Sequence, residues 1–498
     1  MCCLQYAQVP VTVQTSKLMP PVVGLMLWSL WGGDYEVGAM RWLKIGAWLV
    51  AGLMALLGLI LIAAYSVPSS RTLDVEFTRH VGHYAGRAAT AQQYTNSFTS
   101  VPGTGYVEIS HPLTHAIVEL NGDVLTQQTM ADVELLTNNT LRVSVIGELD
   151  TPVTVRVRQQ QNIETHTYAR VHFNTNVRNF EEARAFYGQL GFATLSGFPD
   201  TNTQAMARAI GIETPTHYDG QQGADAGGYL LHGELIYVGE LGSGLIDLIE
   251  FTIPRNEAPP YDKLNRLGFA KAAMHTRDID AAYAHLSKVG VKFLAPPITR
   301  SDGVRFAVFT DPDGTFYELL ESREAAKGSA EGHLVGLGAV TINVSDFERS
   351  AAWYRMLGYE VTQDLSATEN LAVAQAMGFD EPIAIKAAQV TQAADGSTLK
   401  LVQWLSPYDA TPPYPIPINH IGIHRMAFST SNLAADMAML QEQGVEFISP
   451  ATPCCSGPDS PGSIVAFYDP DGTIVELVEQ PVMDQLMLLW QWLSGARG

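Results

Sequence analysis

The sequence predicts an α+β protein with two tandem domains of paired βαβββ modules, preceded by a transmembrane helix and a small all-β domain. Three observations support this prediction. Residues 309–321 and 467–479 are one element written twice: an apolar strand, an Asp-Pro-Asp-Gly turn and a second strand containing a glutamate. Residues 186–192 match residues 353–359, and the repeats keep the same order. Strand-like runs precede helix starts capped by Asn179 and Asp278.

The repeated turn predicts a buried carboxylate in each copy. Pro312 and Gly314 of the first copy, like their counterparts in the second, suit the φ angles of a tight turn. Beyond the turns, period-two alternation puts Glu318 and Glu476 on the same strand face as their apolar neighbours. A carboxylate among apolar side chains needs a cation, a metal ion or a hydrogen-bond donor as its partner.

Length and composition limit the classes of function. A chain of 498 residues is too long for one core and predicts roughly three domains. The net charge of −21 and the lack of a long basic run argue against a nucleic-acid partner. The four cysteines form two adjacent pairs, Cys2-Cys3 and Cys454-Cys455, without zinc-site spacing. We expect incidental thiols, because neighbouring cysteines rarely form a relaxed disulfide.

The N-terminal part predicts a membrane anchor. Residues 1–39 are unassigned, and Met40 is the expected translation start, which would leave residues 1–39 untranslated. Within residues 40–66, positions 45–64 are uncharged and long enough to span a bilayer, and Arg41 and Lys44 precede them. The bulk of the chain is then exported, with the membrane as a partner. A cleaved signal peptide, with a small-residue site near Ser66, is the alternative.

The remaining boundaries follow from pattern changes. Residues 70–160 alternate apolar and polar side chains and predict a small β-sandwich-like domain. The two repeats cover residues 165–322 and 336–480. Residues 481–498 predict a short apolar helix that is too short to cross a membrane.

The turn, the module order and the duplication resemble the vicinal oxygen chelate superfamily, which includes glyoxalase I, bleomycin-resistance proteins and extradiol dioxygenases. The resemblance covers residues 165–322 and 336–480. It implies curled sheets that form cups, with divalent metal ligands at four strand positions in each cup. The first unit matches these positions with His172, Asp247, Lys271 and Glu318, and the second with Ala339, Lys400, Arg425 and Glu476.

Cations at the positions of usual metal ligands weaken the expectation of metal. A protonated lysine does not ligate a metal ion, and arginine stays charged in proteins. In the second unit we therefore expect no metal, and either an Arg425–Glu476 ion pair or an anion-accepting cup that includes Lys400. In the first unit His172, Asp247 and Glu318 could hold Mn, Fe, Ni or Zn, although Lys271 would compete for the carboxylates.

Alternation adds Asn174 and His275 to the polar face of the first cup. The leading functional hypothesis is binding of a small molecule, an anionic one among the options, with no cofactor assigned beyond a candidate divalent metal in the first domain. Whether the protein is an enzyme stays open: the alternative is a metal-dependent lyase, isomerase or dioxygenase acting from the first domain. A third hypothesis is a structural or interaction module with vestigial cups.

Overall fold

The computed structural model places most of the two repeats and of the domain before them. It describes residues 49–60, 70–79, 92–100, 102–110, 116–145, 153–162, 165–198, 203–212, 229–239, 244–322, 333–392, 394–454, 462–479 and 486. The unassigned segment 1–39 and almost all of the C-terminal helix predicted over 481–498 lie outside these residues.

The predicted transmembrane helix is not supported. Residues 49–60 are helical, and the rest of positions 45–64 lies outside the described residues. Among the residues that the structure describes, no helix is both long and apolar enough to cross a bilayer.

Two four-stranded antiparallel sheets precede the repeats. Their strands are β1 (Ser70–Arg79), β2 (Gln92–Thr99), β3 (Gly103–Ile109), β4 (Ala116–Leu120), β5 (Asp123–Val124), β6 (Thr129–Leu135), β7 (Asn138–Val145) and β8 (Val153–Asn162). The strand orders are β1-β8-β3-β6 and β2-β7-β4-β5. Apolar side chains of both sheets, such as Val107, Leu141 and Val155, form one buried core.

Four modules follow, two in each repeat. Module 1 comprises β9 (Thr167–Asn176), α1 (Phe180–Gln189), β10 (Ala193–Gly197), α2 (Gln204–Ala209), β11 (Leu230–Tyr237) and β12 (Leu245–Ile253). Module 2 comprises β13 (Gly268–Thr276), α3 (Ile279–Lys288), β14 (Lys292–Phe293), β15 (Ile298–Thr299), β16 (Arg305–Thr310) and β17 (Phe316–Glu321).

Modules 3 and 4 repeat this order. Module 3 comprises β18 (Gly336–Asn343), α4 (Phe347–Met356), β19 (Tyr359–Asp364), β20 (Ala367–Glu369), α5 (Leu371–Ala376), β21 (Ile383–Gln392) and β22 (Thr398–Ser406). Module 4 comprises β23 (Gly422–Thr430), α6 (Leu433–Glu442), β24 (Thr452–Cys454), β25 (Gly462–Tyr468) and β26 (Ile474–Glu479). The α+β class and the tandem duplication are confirmed.

The modules pair across the two repeats. An eight-stranded sheet, β10-β11-β12-β9-β23-β26-β25-β24, joins modules 1 and 4, and β9 lies antiparallel to β23. A ten-stranded sheet, with the path β14-β16-β17-β13-β18-β22-β21-β19, joins modules 2 and 3 through antiparallel β13 and β18. We call their polar faces the 1–4 cup and the 2–3 cup. Neither cup belongs to one repeat alone, so each cup combines candidate site residues from both repeats.

Two asparagines tie the paired modules together. The Asn176 side-chain amide at the end of β9 donates to the carbonyls of Ile418 and His420, just before module 4. The Asn343 amide at the end of β18 donates in the same way to the carbonyls of Leu264 and Arg266, just before module 2. The duplicated sequence therefore makes the same cross-module contact twice.

Strand alternation separates a shared core from the two cups. Apolar side chains on one face of each sheet, including Phe173, Met274, Ile342 and Met426, pack with the helices in one large core. The intervening residues face the cups, which explains why polar side chains sit between fully buried apolar ones. Every predicted site residue, including His275, alternates with such core side chains and lies on β9, β12, β13, β17, β22, β23 or β26.

The Asp-Pro-Asp-Gly turns have the predicted geometry. Gly314 and Gly472 have φ of 100° and 92°, the region that favours glycine. In the first turn, Asp311 Oδ1 accepts the backbone N–H groups of Asp313 and Thr315. The hydroxyl of Tyr187 on α1 donates to the same carboxyl group at 3.2 Å. The turn thus closes the strands and also anchors the helix of module 1 to module 2.

The capped helix starts are confirmed, whereas the cysteine expectation is not. Asn179 and Asp278 accept the backbone N–H of Glu182 and Ala281 at the beginning of α1 and α3. Cys454 is disulfide-bonded, and every other cysteine of the chain lies outside the described residues.

Candidate functional site

A polar row crosses the floor of the 2–3 cup. Lys271 on β13 is opposite Thr341 on β18, and Thr341 is in turn opposite Lys400 on β22. Adjacent strands lie about 4.8 Å apart, so the Cα atoms of the two lysines are roughly 10 Å apart. Glu318 comes from β17 on the other side of β13. The fold therefore gathers these residues from both repeats.

Glu318 is the buried carboxylate of this row and has two cationic partners. Lys271 Nζ lies 2.5 Å from Glu318 Oε1, and Arg300 Nη1 lies 3.4 Å from the same oxygen. Burial by itself would raise the pKa of Glu318, but Lys271, Lys400 and Arg300 together hold that pKa below its usual value. Burial lowers the pKa of Lys271, although Glu318 opposes this shift. Three cations thus surround the one carboxylate of the row, and the neighbouring cavity is also lined by Asp302, Asp364 and Glu369.

Lys400 is the unpartnered cation of the row. Among the described residues its ammonium makes no hydrogen bond and no ion pair. Burial, together with the charges of Arg300 and Lys271, lowers the pKa of Lys400 to about 7, although Glu318 and Asp302 oppose part of this shift. A protonated lysine in this position lowers the stability of the folded protein, because an ammonium group that has lost water and gained no partner is poorly solvated.

Lys400 faces a cavity of about 310 Å³ between the two modules. Much of its wall is apolar, formed by Leu264, Leu365, Met377, Ile383, Ile385, Ala387, Val402 and Trp404. Lys271, Arg300 and Thr341 supply polar groups at one side. The Trp404 indole N–H donates to Asn343 Oδ1 at 3.0 Å, which fixes the orientation of the ring. An apolar cavity with a few convergent polar groups is the usual form of a small-molecule site.

A turn of module 2 reaches over this cavity and is tied to module 3. Ser301 donates both its backbone N–H and its hydroxyl to the Glu369 carboxylate, the hydroxyl at 2.7 Å. The neighbouring Arg300 also forms an ion pair with Asp302 at 3.3 Å. These contacts hold the guanidinium of Arg300 against Glu318 and leave the Glu369 carboxylate hydrogen-bonded at the edge of the cavity.

The 1–4 cup contains a compact charged cluster. Arg425 Nε lies 2.8 Å from Glu476 Oε1, so the expected ion pair is present. Arg425 Nη2 also lies 3.4 Å from Asp247 Oδ2. The same Asp247 oxygen accepts the side-chain amide of Asn174 at 2.5 Å and lies 3.6 Å from His172 Nε2. The single guanidinium of Arg425 is therefore the ion-pair partner of two buried carboxylates.

The pKa shifts of this cluster reflect incomplete charge compensation. Burial and the nearby Glu476 raise the pKa of Asp247 to about 7, although Arg425 and the hydrogen bond from Asn174 oppose part of the shift. Burial also raises the pKa of Glu476. The pKa of His172 falls well below its usual value because of burial and the nearby Arg425 charge. The cluster therefore favours a neutral imidazole and makes its two carboxyl groups easier to protonate than usual.

The proposed metal set is not brought together. His172 and Asp247 lie in the sheet of modules 1 and 4, whereas Glu318 lies in the other sheet beside Lys271. Within the described ranges, no three His, Cys, Asp or Glu side chains form a group that could hold a metal ion. In the 1–4 cup the permanent charge of Arg425 stands between the carboxylates and opposes a cation there. These residues do not fit a metal centre.

The sequence candidates therefore divide differently from the prediction. Asn174, Arg425 and Glu476 join His172 and Asp247, while Lys400 joins Lys271 and Glu318. His275 lies farther along β13, where a side chain on Gly338 would collide with its ring, and it does not line the cavity. Arg300 was not among the residues predicted from the sequence; its only signal there is its place before a Ser-Asp-Gly turn.

The sequence profile of the Glyoxalase/Bleomycin resistance protein/Dioxygenase superfamily matches residues 170–319 and again residues 336–477, more than half of the chain. No curated protein matches the chain. Among solved structures, glyoxalase I from Zea mays is 17% identical with a TM-score of 0.44, covering 65% of this chain and 95% of that one. A putative dioxygenase from Bacillus subtilis is 14% identical with a TM-score of 0.40, covering 64% and 86%. The double profile match establishes that the chain belongs to the glyoxalase/bleomycin resistance protein/dioxygenase superfamily.

Proposed function

We propose that the protein binds a small molecule carrying an anionic group in the 2–3 cup. The observation that carries the proposal is the Lys400 ammonium, which faces a cavity of about 310 Å³ without a carboxylate partner among the described residues. The volume lies at the lower end of the roughly 300–1,000 Å³ typical of ligand pockets. The ligand is therefore small, with an apolar body against Trp404 and its apolar neighbours.

Electrostatics favour an anion over a neutral ligand. Lys271 is already paired with Glu318, and Arg300 with Asp302 and Glu318, so Lys400 is the cation whose charge a ligand would compensate. An ion pair at about 4 Å gains roughly 4 kcal/mol at an effective dielectric constant near 20, before the cost of removing water from the anion. A net gain of 10- to 100-fold in affinity over a neutral analogue is a reasonable expectation.

The test compares benzoate and phenylacetate with their uncharged amides. Binding is followed by the change in tryptophan fluorescence, to which Trp404 in the cavity wall contributes, and by the rise in melting temperature that a ligand of the folded state produces. We expect the carboxylates to bind more tightly than the amides and to lose 10- to 100-fold in affinity in Lys400→Met. The exposed Lys292 provides the control substitution Lys292→Met. Equal binding of acids and amides, or unchanged binding by Lys400→Met, would refute the proposal.

A metal-dependent lyase, isomerase or dioxygenase is the competing function. It was predicted to hold its metal with His172, Asp247 and Glu318, but Glu318 lies in the other sheet. In the 1–4 cup, Arg425 forms an ion pair at 2.8 Å with Glu476 and opposes a cation there. Metal analysis of the purified protein separates the two functions: one metal ion per chain that disappears in His172→Ala would favour the enzyme.

Membrane anchoring and export form a separate part of the proposal. Apolar side chains of the helical residues 49–60 are exposed, including Leu49 at 69% and Leu53 at 63%. Exposed apolar surface of this kind favours contact with a membrane or another apolar partner. Carbonate extraction of membranes from cells expressing the full chain, with protease added from outside, tests both parts: a protein released by carbonate would contradict the anchor.

A further inference from the structure

We propose that the amine of Lys400 forms an imine with a small oxo acid bound in the 2–3 cup. This inference rests on the proposed function and specifies its ligand: a carboxylate for the cationic end of the row and an aldehyde or ketone carbonyl for the amine. Three structural observations support it, namely the position of Lys400 at the cavity without an ion-pair partner among the described residues, the polar groups beside it, and the partly apolar wall of the cavity.

The amine of Lys400 is available for attack on a carbonyl carbon. A lysine amine is a nucleophile only without its proton, and desolvation or neighbouring cations are the usual means of removing that proton. Lys400 has both, since it borders an apolar cavity and shares its row with Lys271 and Arg300. With its pKa lowered to about 7, a substantial fraction of the amine is neutral at physiological pH. Lys271 is held as a cation by Glu318 and does not compete as the nucleophile.

Groups that recognise a carboxylate lie across the row from this amine. The Lys271 ammonium uses one donor on Glu318 and has two more N–H donors. The hydroxyl of Thr341, between the two lysines, makes no hydrogen bond to any described residue. A carboxylate at Lys271 and Thr341 would leave the rest of a short ligand directed along the row toward Lys400. An oxo acid has both required groups on one small skeleton.

The chemistry balances without an added oxidant or reductant. The neutral amine attacks the carbonyl carbon: a C–N bond forms and the carbonyl π bond breaks. The oxygen takes a proton from the Lys271 ammonium, and the nitrogen gives one proton back, which leaves a neutral carbinolamine. The Lys271 ammonium is the acid present in the row, and Glu318 holds it in place. The Lys271 ammonium then protonates the hydroxyl group, the C–O bond breaks, and water leaves as an iminium forms. The nitrogen returns its remaining hydrogen as a proton to the Lys271 amine, which gives the neutral imine. Addition of water reverses the sequence, so binding is covalent but reversible.

Reductive trapping tests the inference on the full chain. The protein is incubated with phenylpyruvate and sodium cyanoborohydride, which converts an imine to a stable secondary amine, and the modified peptide is mapped by mass spectrometry. We expect one adduct per chain, on Lys400, that is absent in Lys400→Met and retained in Lys292→Met. Adducts spread over exposed lysines, with none enriched at Lys400, would overturn the inference.

Lys400→Arg separates imine formation from simple anion binding. Arginine keeps a cation in the cup but forms no such imine, so this variant should bind phenylacetate within about 10-fold of the unmodified protein and give no adduct. If the unmodified protein binds phenylacetate but is not trapped with phenylpyruvate, the imine is refuted and anion binding stands. If neither compound binds, the proposed function fails as well.

Discussion

Replacing Lys400 by methionine should stabilise the protein at mildly acidic pH. The substitution removes a cation that has no carboxylate partner among the described residues and keeps an unbranched side chain of similar length against the apolar wall. Most single substitutions destabilise a protein, so an increase in the free energy of unfolding would distinguish this prediction clearly from the usual outcome. It also fits a residue retained for binding at the expense of stability.

The magnitude follows from the pKa difference between the folded and unfolded states. The pKa of Lys400 falls from 10.5 to about 7 on folding. At about 1.4 kcal/mol per pKa unit this sets an upper limit of about 5 kcal/mol. Water in the cavity solvates part of the charge, so we expect Lys400→Met to raise the free energy of unfolding by roughly 2–3 kcal/mol at pH 6.

The pH dependence provides the stronger test. Between pH 7 and 10 the unfolded chain holds the Lys400 proton while the folded protein has lost it, so the unmodified protein gains stability with rising pH. The advantage of Lys400→Met is therefore complete below pH 7 and shrinks by up to about 1.4 kcal/mol per pH unit above it. Urea unfolding followed by tryptophan fluorescence at several pH values measures this, with Lys292→Met as the control. A destabilised variant at pH 6, or a constant difference at every pH, would refute the reasoning.

Three other predictions concern the remaining charged groups. Lys271→Met should cost about 3–5 kcal/mol in urea unfolding, because Glu318 stays buried without its closest cation, and adding Glu318→Leu should recover much of that loss. Arg425→Met should be destabilising by a similar amount, because Asp247 and Glu476 lose their shared cation. The loss should grow from pH 5 to 8, because the unfolded chain ionises these carboxyl groups more readily than the folded variant, which becomes less stable as the pH rises. Metal analysis should find no stoichiometric divalent ion that depends on His172; one metal ion per chain would contradict this.

Local sequence patterns were sufficient to predict much of the fold. The Asp-Pro-Asp-Gly turns, the helix caps at Asn179 and Asp278 and the alternation around Glu318 depend on residues close in sequence. The duplication was also visible, because its signal is the order of matching segments. These features follow from backbone geometry and short-range hydrogen bonds, which a single sequence encodes directly.

The composition of each cup could not be predicted, because it depends on pairing between distant strands. Asp247 meets Arg425 across 178 positions, a contact that no local pattern indicates. Modules could pair within a repeat or across the two repeats, and both arrangements bury the same strand faces. The alternation of apolar and polar residues therefore fits both arrangements. Lys400 was consequently assigned beside Arg425, and its place in the row with Lys271 became visible only in the sheet.

The crossed pairing of the modules also bears on how the chain can be divided. A cut in the segment between residues 322 and 333 would separate the two superfamily matches but would leave each fragment with one half of both cups. Neither fragment could then complete the network around Asn176 or Asn343, because each asparagine binds carbonyls on the other side of the cut. The repeats are thus consecutive in the gene yet interlocked in space, and the smallest autonomous unit contains both.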